Sequence, residues 1–147
     1  MLFLPGNTPN MLINGDTLGA DTVIFDLEDA VSPDEKDAAR ILVRNALKYQ
    51  NFSGCEVVVR INTTDTEFWK EDLDAVIPLK PDMIMPTKVS GGEMIREVSA
   101  YMGQVEERSG IEKGSVKILP LIETALGVEK AFEIASSDVR VAGLFLG

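Results

Sequence analysis

The stretch Val23-Ile24-Phe25-Asp26-Leu27-Glu28-Asp29-Ala30-Val31 decides the predicted fold, because an apolar strand runs directly into three carboxylates. Buried strands normally exclude charge, since an ionised carboxylate without a partner in a low dielectric is costly or shifts its pKa. The acids therefore either form the edge of a site or face water and cap the helix that begins at Ser32-Pro33. This stretch alone does not separate the two interpretations.

Apolar strands and helical segments alternate along the rest of the chain. Strands are predicted over residues 2–4, 22–27, 57–62, 82–88, 116–124 and 141–147, and helices over 7–18, 32–48, 68–76, 91–109 and 126–135. This alternation is typical of βα units around a parallel sheet. A complete (β/α)₈ barrel takes about 250 residues. We therefore predict an α/β fold of the (β/α)₈ TIM-barrel type, truncated after strand six, with residues 1–147 as a single partial-barrel domain.

Composition excludes several classes of site. The chain has no histidine, so imidazole bases, Ser-His and Cys-His nucleophiles and His-liganded metals are ruled out. A net charge of −10 argues against a nucleic-acid partner. We expect no membrane span and no signal peptide. The single cysteine, Cys55, suits a reducing compartment, and we expect the protein to be cytoplasmic.

Charged or polar residues end four consecutive predicted strands. They are Asp26, Glu28, Asp29, Arg60, Asn62, Lys88 and Glu123. Because active sites of parallel α/β folds lie at the carboxyl ends of the strands, we interpret this series as a site. Carboxylates without histidine favour Mg²⁺, and a guanidinium suits a substrate carboxylate or a developing enolate. Lys88 could form a Schiff base, bind an anion or be a solvated loop lysine.

Five segments together resemble the citrate lyase beta-subunit family, within the wider HpcH/HpaI aldolase and malyl-CoA lyase superfamily. They are 1–6 (MLFLPG), 25–31 (FDLEDAV), 36–40 (KDAAR), 59–62 (VRIN) and 121–124 (LIET). The resemblance implies a carbon–carbon lyase that cleaves citryl-acyl carrier protein or citryl-CoA to oxaloacetate and an acetyl thioester. This is a retro-Claisen reaction with Mg²⁺ as cofactor. It also implies a homo-oligomer and association with other citrate lyase subunits.

The resemblance assigns binding roles residue by residue. Glu123 would be one metal ligand, and the second ligand is expected just beyond Gly147. Arg60 would bind the oxaloacetate part of the substrate and stabilise its charge, with Asn62 and Lys88 as further substrate-binding residues. The family commonly has Leu-Pro-Lys where this chain has Pro86-Thr87-Lys88, which is a departure from the family in the backbone that leads to the lysine.

The catalytic roles implied by the resemblance fall to Arg60, Glu28 and Asp29. The two carboxylates would support a water at the metal or act in acid–base steps. Related class II aldolases carry a histidine at the position of Asp29, which makes Asp29 the better acid–base candidate. Asp26 would contact these residues and not the metal or the substrate. With one metal ligand in the sequence, we expect the 147-residue chain by itself to be weakly active or inactive.

Two further hypotheses share these residues. The chain could represent a malyl- or citramalyl-CoA lyase-like enzyme, or an aldolase that does not use a thioester, because the sequence does not define the acyl substrate. It could instead be a catalytically incomplete barrel fragment that acts only by association. An open six-stranded sheet exposes unpaired backbone groups and apolar faces at its edges, which favours pairing with another chain.

Overall fold

The computed structural model describes the chain from Met1 to Gly147. Its strands are β1 Leu2–Pro5, β2 Thr22–Asp26, β3 Glu56–Arg60, β4 Met83–Met85, β5 Lys117–Ile118, β6 Leu121–Ile122 and β7 Phe145–Leu146. Its helices are α1 Pro9–Ile13, α2 Lys36–Tyr49, α3 Phe68–Val76, α4 Gly92–Arg108, α5 Ala125–Glu129 and α6 Ala131–Ala135. Short 3₁₀ turns cover Gly15–Thr17, Pro33–Glu35 and Ile77–Leu79.

The strands form parallel sheets in which neighbours in space are neighbours in sequence. The first sheet has the order β1-β2-β3-β4-β5, and β6 pairs with β7 in a second sheet. Every pairing is parallel. The predicted α/β class with a parallel sheet is therefore confirmed. The sheet remains open, because β1 and β7 are not paired with each other.

The predicted fifth strand, 116–124, is divided into β5 and β6. Pro120 lies at the break and has no amide hydrogen to donate to a ladder. The chain nevertheless keeps its course, because the amides of Leu119 and Leu121 donate to the carbonyls of Ile84 and Pro86 at 2.9 Å. The six predicted strands are thus seven in the structure.

Other predicted boundaries differ as well, among them that of the fourth strand, which is shortened from 82–88 to β4. The last strand is reduced from 141–147 to β7, with an isolated bridge from Val141 to Ile118 before it. The predicted helix 126–135 is two short helices, because Lys130 departs from helical backbone angles (φ −96°, ψ 14°) and ends α5. The first helix is confined to α1. None of the six helices combines the length and the apolar character needed to cross a bilayer.

Two apolar clusters lie on opposite faces of the sheet. The larger, with 26 buried residues, packs the strands against the helices. The smaller occupies the concave face and consists of Ile24, Val58, Met83, Met85, Leu119 and Leu121, with Phe3 and Phe145 packed against it. The sheet curls strongly enough that the rings of Phe3 on β1 and Phe145 on β7 meet edge to face at 5.9 Å. Polar residues that follow this inner cluster on the same face are therefore brought close together.

Candidate functional site

Asp26 and Arg60 form the centre of the site at the carboxyl ends of β2 and β3. They are direct neighbours in the strand register and lie two residues beyond Ile24 and Val58 of the inner cluster. Because side chains alternate along a strand, both point to the concave face. Arg60 Nε donates to Asp26 Oδ1 at 2.7 Å, and Arg60 Nη2 donates to Asp26 Oδ2. This two-bond geometry fixes the plane of the guanidinium.

The ion pair is largely buried, and Asp26 accepts further hydrogen bonds from the backbone around it. Asp26 is 1% exposed. Its carboxylate also accepts hydrogen bonds from the amides of Glu28 at 2.8 Å and Ala30 at 3.2 Å. Burial opposes the charge of Arg60, but its hydrogen bonds to Asp26, together with the nearby negative charges of Asp26 and Glu28, outweigh burial and raise the arginine pKa. The face of Phe3 lies 5.1 Å from Arg60 Cζ and supports the cation further.

Glu28 is buried and has partners on both carboxylate oxygens. Oε1 lies 2.6 Å from Lys88 Nζ, and Oε2 accepts the amide of Asp29 at 2.8 Å. Arg60 Nη1 lies 3.6 Å from Oε2. The nitrogen of Arg60 that faces Glu28 is the one that Asp26 does not bind. Glu28 thus connects the arginine of β3 with the lysine that follows β4.

Lys88 bridges the two acids of the loop after β2. Its Nζ lies 3.4 Å from Asp29 Oδ1 in addition to its contact with Glu28. The hydrogen bond that Lys88 donates to Glu28 is the main reason that the pKa of Lys88 is raised. Its backbone has a positive φ of 51°, and the hydroxyl of the preceding Thr87 is buried without a hydrogen-bond partner. A lysine kept protonated in this way is suited to binding anions and poorly suited to forming a Schiff base.

Asp29 is an exposed acid of the cluster. Burial acts to raise its pKa, but contacts with Glu28 and Lys88 outweigh that effect and lower it. Asp29 is therefore ionised at neutral pH and available as a proton acceptor or a ligand.

Glu123 joins the cluster from the end of β6 through a backbone contact. Its Oε1 accepts the amide of Lys88 at 3.0 Å, and its side chain lies beside Gly147. Its exposed carboxylate is the type of oxygen ligand that Mg²⁺ prefers, and Mg²⁺ is usually held by one or two carboxylates together with water. No group of three or more Asp, Glu or Cys side chains is arranged to hold a metal. The chain therefore supplies one carboxylate ligand, that of Glu123, which is part of a Mg²⁺ site.

Comparison with known proteins identifies the family of the chain. A family model described as HpcH/HpaI aldolase/citrate lyase matches residues 1–147. The chain belongs to the HpcH/HpaI aldolase/citrate lyase family. The resemblance predicted from the five sequence segments is confirmed.

Two curated relatives in the HpcH/HpaI family illustrate its range. The citrate lyase subunit beta of Leuconostoc mesenteroides subsp. cremoris is 42% identical over 146 residues, which cover 99% of this chain and 48% of the relative. A (3S)-malyl-CoA thioesterase of Cereibacter sphaeroides is 35% identical over 147 residues, covering 100% and 47%. The chain therefore spans about half the length of the curated relatives it matches.

Two solved structures share the fold. The citrate lyase beta subunit of Mycobacterium tuberculosis complexed with oxaloacetate and magnesium has a TM-score of 0.77 and 29% identity, over 99% of this chain and 56% of that one. The protein CitE from the same organism, in complex with magnesium, acetoacetate and coenzyme A, has the same TM-score and identity, over 99% and 47%.

Of the site residues expected in this HpcH/HpaI chain, Asn62 is the one turned away from the cluster. Its backbone amide and its Nδ2 both donate to Asp72 Oδ2, at 3.0 and 2.7 Å. Asp72 lies on α3, is fully buried and also accepts from Arg40 Nε at 3.0 Å. Burial is the largest influence on Asp72 and raises its pKa. Asn62 keeps its Oδ1 and one Nδ2 hydrogen for a ligand, and its predicted role in substrate binding stays a prediction.

A cavity of about 340 Å³ opens beside Glu28 and Asp29, and Lys36, Asn62 and Thr66 also line it. A larger cavity of about 590 Å³ lies at the opposite, amino-terminal ends of the strands, far from the charged cluster. The smaller cavity is the one next to reactive groups. Sequence reasoning missed Asp72 and Lys36 as neighbours of the site, because neither stands at the end of a strand.

Proposed function

We propose that the chain contributes the substrate-binding and acid–base face of a citrate lyase beta-type enzyme, a carbon–carbon lyase that cleaves a citryl thioester to oxaloacetate and an acetyl thioester. The observation that carries this proposal is the geometry of Arg60. Asp26 binds its Nε and Nη2, and Nη1 remains directed toward Glu28 without a hydrogen bond. A fixed guanidinium with one free edge suits a carboxylate of oxaloacetate. The relative from Leuconostoc and the oxaloacetate complex from M. tuberculosis support this assignment.

The proposed reaction needs a base, a cation and a proton donor. A base takes the proton of the citryl hydroxyl, the carbon–carbon bond to the acetyl group breaks, and its electron pair moves into the thioester as an enolate. The enolate carbon then takes up a proton to give the acetyl thioester. Asp29 is our candidate for the base, because its carboxylate is exposed and ionised at neutral pH. Arg60 stabilises the negative charge of the oxaloacetate part.

Lys88 and Glu28 complete the proposed site. The charged ammonium of Lys88 would bind a second anionic group of the substrate, and Glu28 would orient both cations. Glu28 is also a candidate for acid–base steps once a substrate draws Lys88 away. Asn62 would assist through its Oδ1.

We further propose that Glu123 holds Mg²⁺, together with a second carboxylate expected just beyond Gly147. Bound Mg²⁺ would polarise a substrate oxygen as a Lewis acid. The exposed carboxylate of Glu123 supports this role, and magnesium is present in the M. tuberculosis structures. With one carboxylate from residues 1–147, this chain alone should bind Mg²⁺ weakly.

We also propose a barrel fold, an assembly, a carrier and a cellular location for the protein. Residues 1–147 would be one partial domain of a (β/α)₈ TIM barrel, a conclusion supported by the sequential parallel strands and by the contact of Phe3 with Phe145. We propose a homo-oligomer and association with other citrate lyase subunits, which the name of the Leuconostoc relative as a subunit supports. The carrier would be acyl carrier protein or CoA, as the coenzyme A complex supports. We propose a cytoplasmic location, and no nucleic-acid or membrane partner.

Two alternatives rest on particular observations. A malyl- or citramalyl-CoA lyase-like activity would use the same residues, and the Cereibacter relative favours a CoA thioester of that kind. A catalytically incomplete fragment that acts only by association is favoured by the absence of a group of three metal-ligating side chains.

The test is a cleavage assay of a protein that includes the second proposed metal ligand beyond Gly147, with Mg²⁺ and either citryl-CoA or malyl-CoA, and with oxaloacetate or glyoxylate measured as product. A parallel NMR titration follows the binding of oxaloacetate. We expect oxaloacetate from citryl-CoA, and loss of both signals in Arg60→Ala. Lys117→Met is the matched control, since Lys117 Nζ contacts only the carbonyl of Gly114. Glyoxylate alone would favour the malyl-CoA alternative. Neither cleavage nor binding, in a discrete oligomer, would favour the association hypothesis.

A further inference from the structure

Lys36 is a buried lysine that none of the proposed chemical steps uses. It is the first residue of α2 and is 8% exposed. Its Nζ donates to the carbonyl of Leu27 at 2.8 Å and to the carbonyl of Glu28 at 2.6 Å. These two carbonyls belong to the loop that carries the side chains of Glu28 and Asp29. Lys36 therefore contacts the backbone of the acidic loop.

The position of Lys36 is unfavourable unless these contacts offset its cost. The first turn of a helix carries a partial positive charge, so a cation there is repelled. Burial adds a second cost and is the main reason that the pKa of Lys36 is lowered, against the nearby charges of Glu28, Asp72, Asp26 and Asp29. Burial and the helix dipole both oppose a charged lysine at this position, so its presence is explained by the carbonyl groups that its ammonium binds.

The acidic loop is held on two sides by opposite charges. The carboxylate of Asp26 accepts the amides of Glu28 and Ala30, and the ammonium of Lys36 donates to the carbonyls of Leu27 and Glu28. The carbonyl of Glu28 also accepts the amide of Val31 at 3.1 Å. Several successive peptide groups are thus fixed from both faces, and with them the directions in which the two acidic side chains leave the backbone.

We propose that Lys36 is a positioning residue of the site, which orients Glu28 and Asp29 by binding the backbone of the loop that bears them. It does not act on the substrate directly. This inference concerns the segment 36–40 (KDAAR), which resembles the family but has no place in the proposed chemistry. The effect of Lys36 on catalysis rests on the proposed function, whereas its effect on the order of the loop does not.

The test combines amide hydrogen exchange with the cleavage assay. Lys36→Met keeps the length and apolar stem of the side chain and removes its donors, and Lys36→Arg restores donors. In Lys36→Met we expect exchange at the amides of Glu28, Asp29 and Ala30 to rise about tenfold or more, as the loss of two hydrogen bonds implies. Amides of β3 and β4 should change little. Lys36→Arg should recover much of the protection, and kcat should fall in Lys36→Met with little change in KM.

Two controls separate positioning from general stability. Lys117→Met removes a lysine–carbonyl contact far from the loop, and Arg140→Lys weakens a buried ion pair with Glu106 that does not touch the site. Neither should raise exchange in the acidic loop selectively. Faster exchange that is uniform across the sheet in Lys36→Met, or no change in the loop, would overturn the proposal. If the parent protein shows no cleavage, the proposed function fails, and the exchange result still decides the role of Lys36.

Discussion

Lys88 Nζ lies 2.6 Å from Glu28 Oε1, and this ion pair joins the end of β4 to the loop after β2 across the intervening β3. Arg60, at the end of β3, lies beneath the bridge with Nη1 3.6 Å from the same carboxylate. Three successive strands are therefore connected through one buried glutamate. An incoming anionic substrate would compete with Glu28 for both cations, which links substrate binding to the freeing of that carboxylate.

Lys88→Met should raise the pKa of Asp29 toward its ordinary value of 3.8, because Lys88 stabilises the ionised form. A lowered pKa in the folded state contributes stability above the unfolded pKa, and this is lost as the pH falls through the folded pKa. The variant should therefore lose less stability on acidification through that range. A ¹³C NMR titration of the Asp29 carboxyl measures the shift. Lys70→Met is the control, since Lys70 packs over Trp69 and Tyr101. An unchanged Asp29 pKa in Lys88→Met would contradict the prediction.

Asp26→Ala should destabilise the protein by about 3–5 kcal/mol, because it leaves the mostly buried Arg60 without its partner. Asp37→Ala removes an exposed partner of Arg40 and should cost about 0–1 kcal/mol. Urea denaturation of both variants gives the free energies of unfolding. Similar losses of unfolding free energy in the two variants would show that the Asp26–Arg60 pair contributes no more to stability than an exposed ion pair does.

Gly6→Ala should cost about 1–3 kcal/mol, because a methyl group there would overlap rigid neighbours. An added Cβ would lie 2.7 Å from the carbonyl oxygen of Asp26 and 3.1 Å from side-chain carbons of Leu27 and Val43. Gly54→Ala is the matched control, since nothing lies within 4 Å of the added atom. The difference between their thermal midpoints measures the effect. A stability for Gly6→Ala equal to that of the control would refute close packing of the turn after β1 against β2.

Glu106→Gln should reduce the loss of unfolding free energy that the protein suffers at acidic pH. Burial acts to raise the pKa of Glu106, but Arg140 and the amides of Gly114 and Val116 outweigh it and lower the pKa below 4.5. Its contribution is therefore present above about pH 4.5 and is lost as the pH falls through the lowered folded pKa. Unfolding free energies measured from pH 7 to pH 3 should fall less steeply in the variant. Glu107→Gln, at the exposed neighbouring position, should leave the slope unchanged.

Much of the site could be predicted because it depends on periodicity. Once the strands are parallel and sequential, their carboxyl ends meet at one edge, so Asp26, Arg60, Lys88 and Glu123 had to lie near one another. Strand boundaries were less predictable. The break at Pro120 follows from its missing amide hydrogen, but the continuation of the chain along β4 depends on neighbours that are distant in sequence.

The amino-acid sequence by itself determined the α/β class, the parallel strands, the family and the group of charged residues at the strand ends. Only the tertiary structure decided which charges pair and which residues hold them. Asp26 binds Arg60, Glu28 binds Lys88, and Asn62 turns to Asp72 because packing of α2 and α3 brings Lys36 and Asp72 against the loops. Periodicity places a residue on a face through local geometry, whereas the partner of a buried charge is chosen by groups that meet only after the chain has folded.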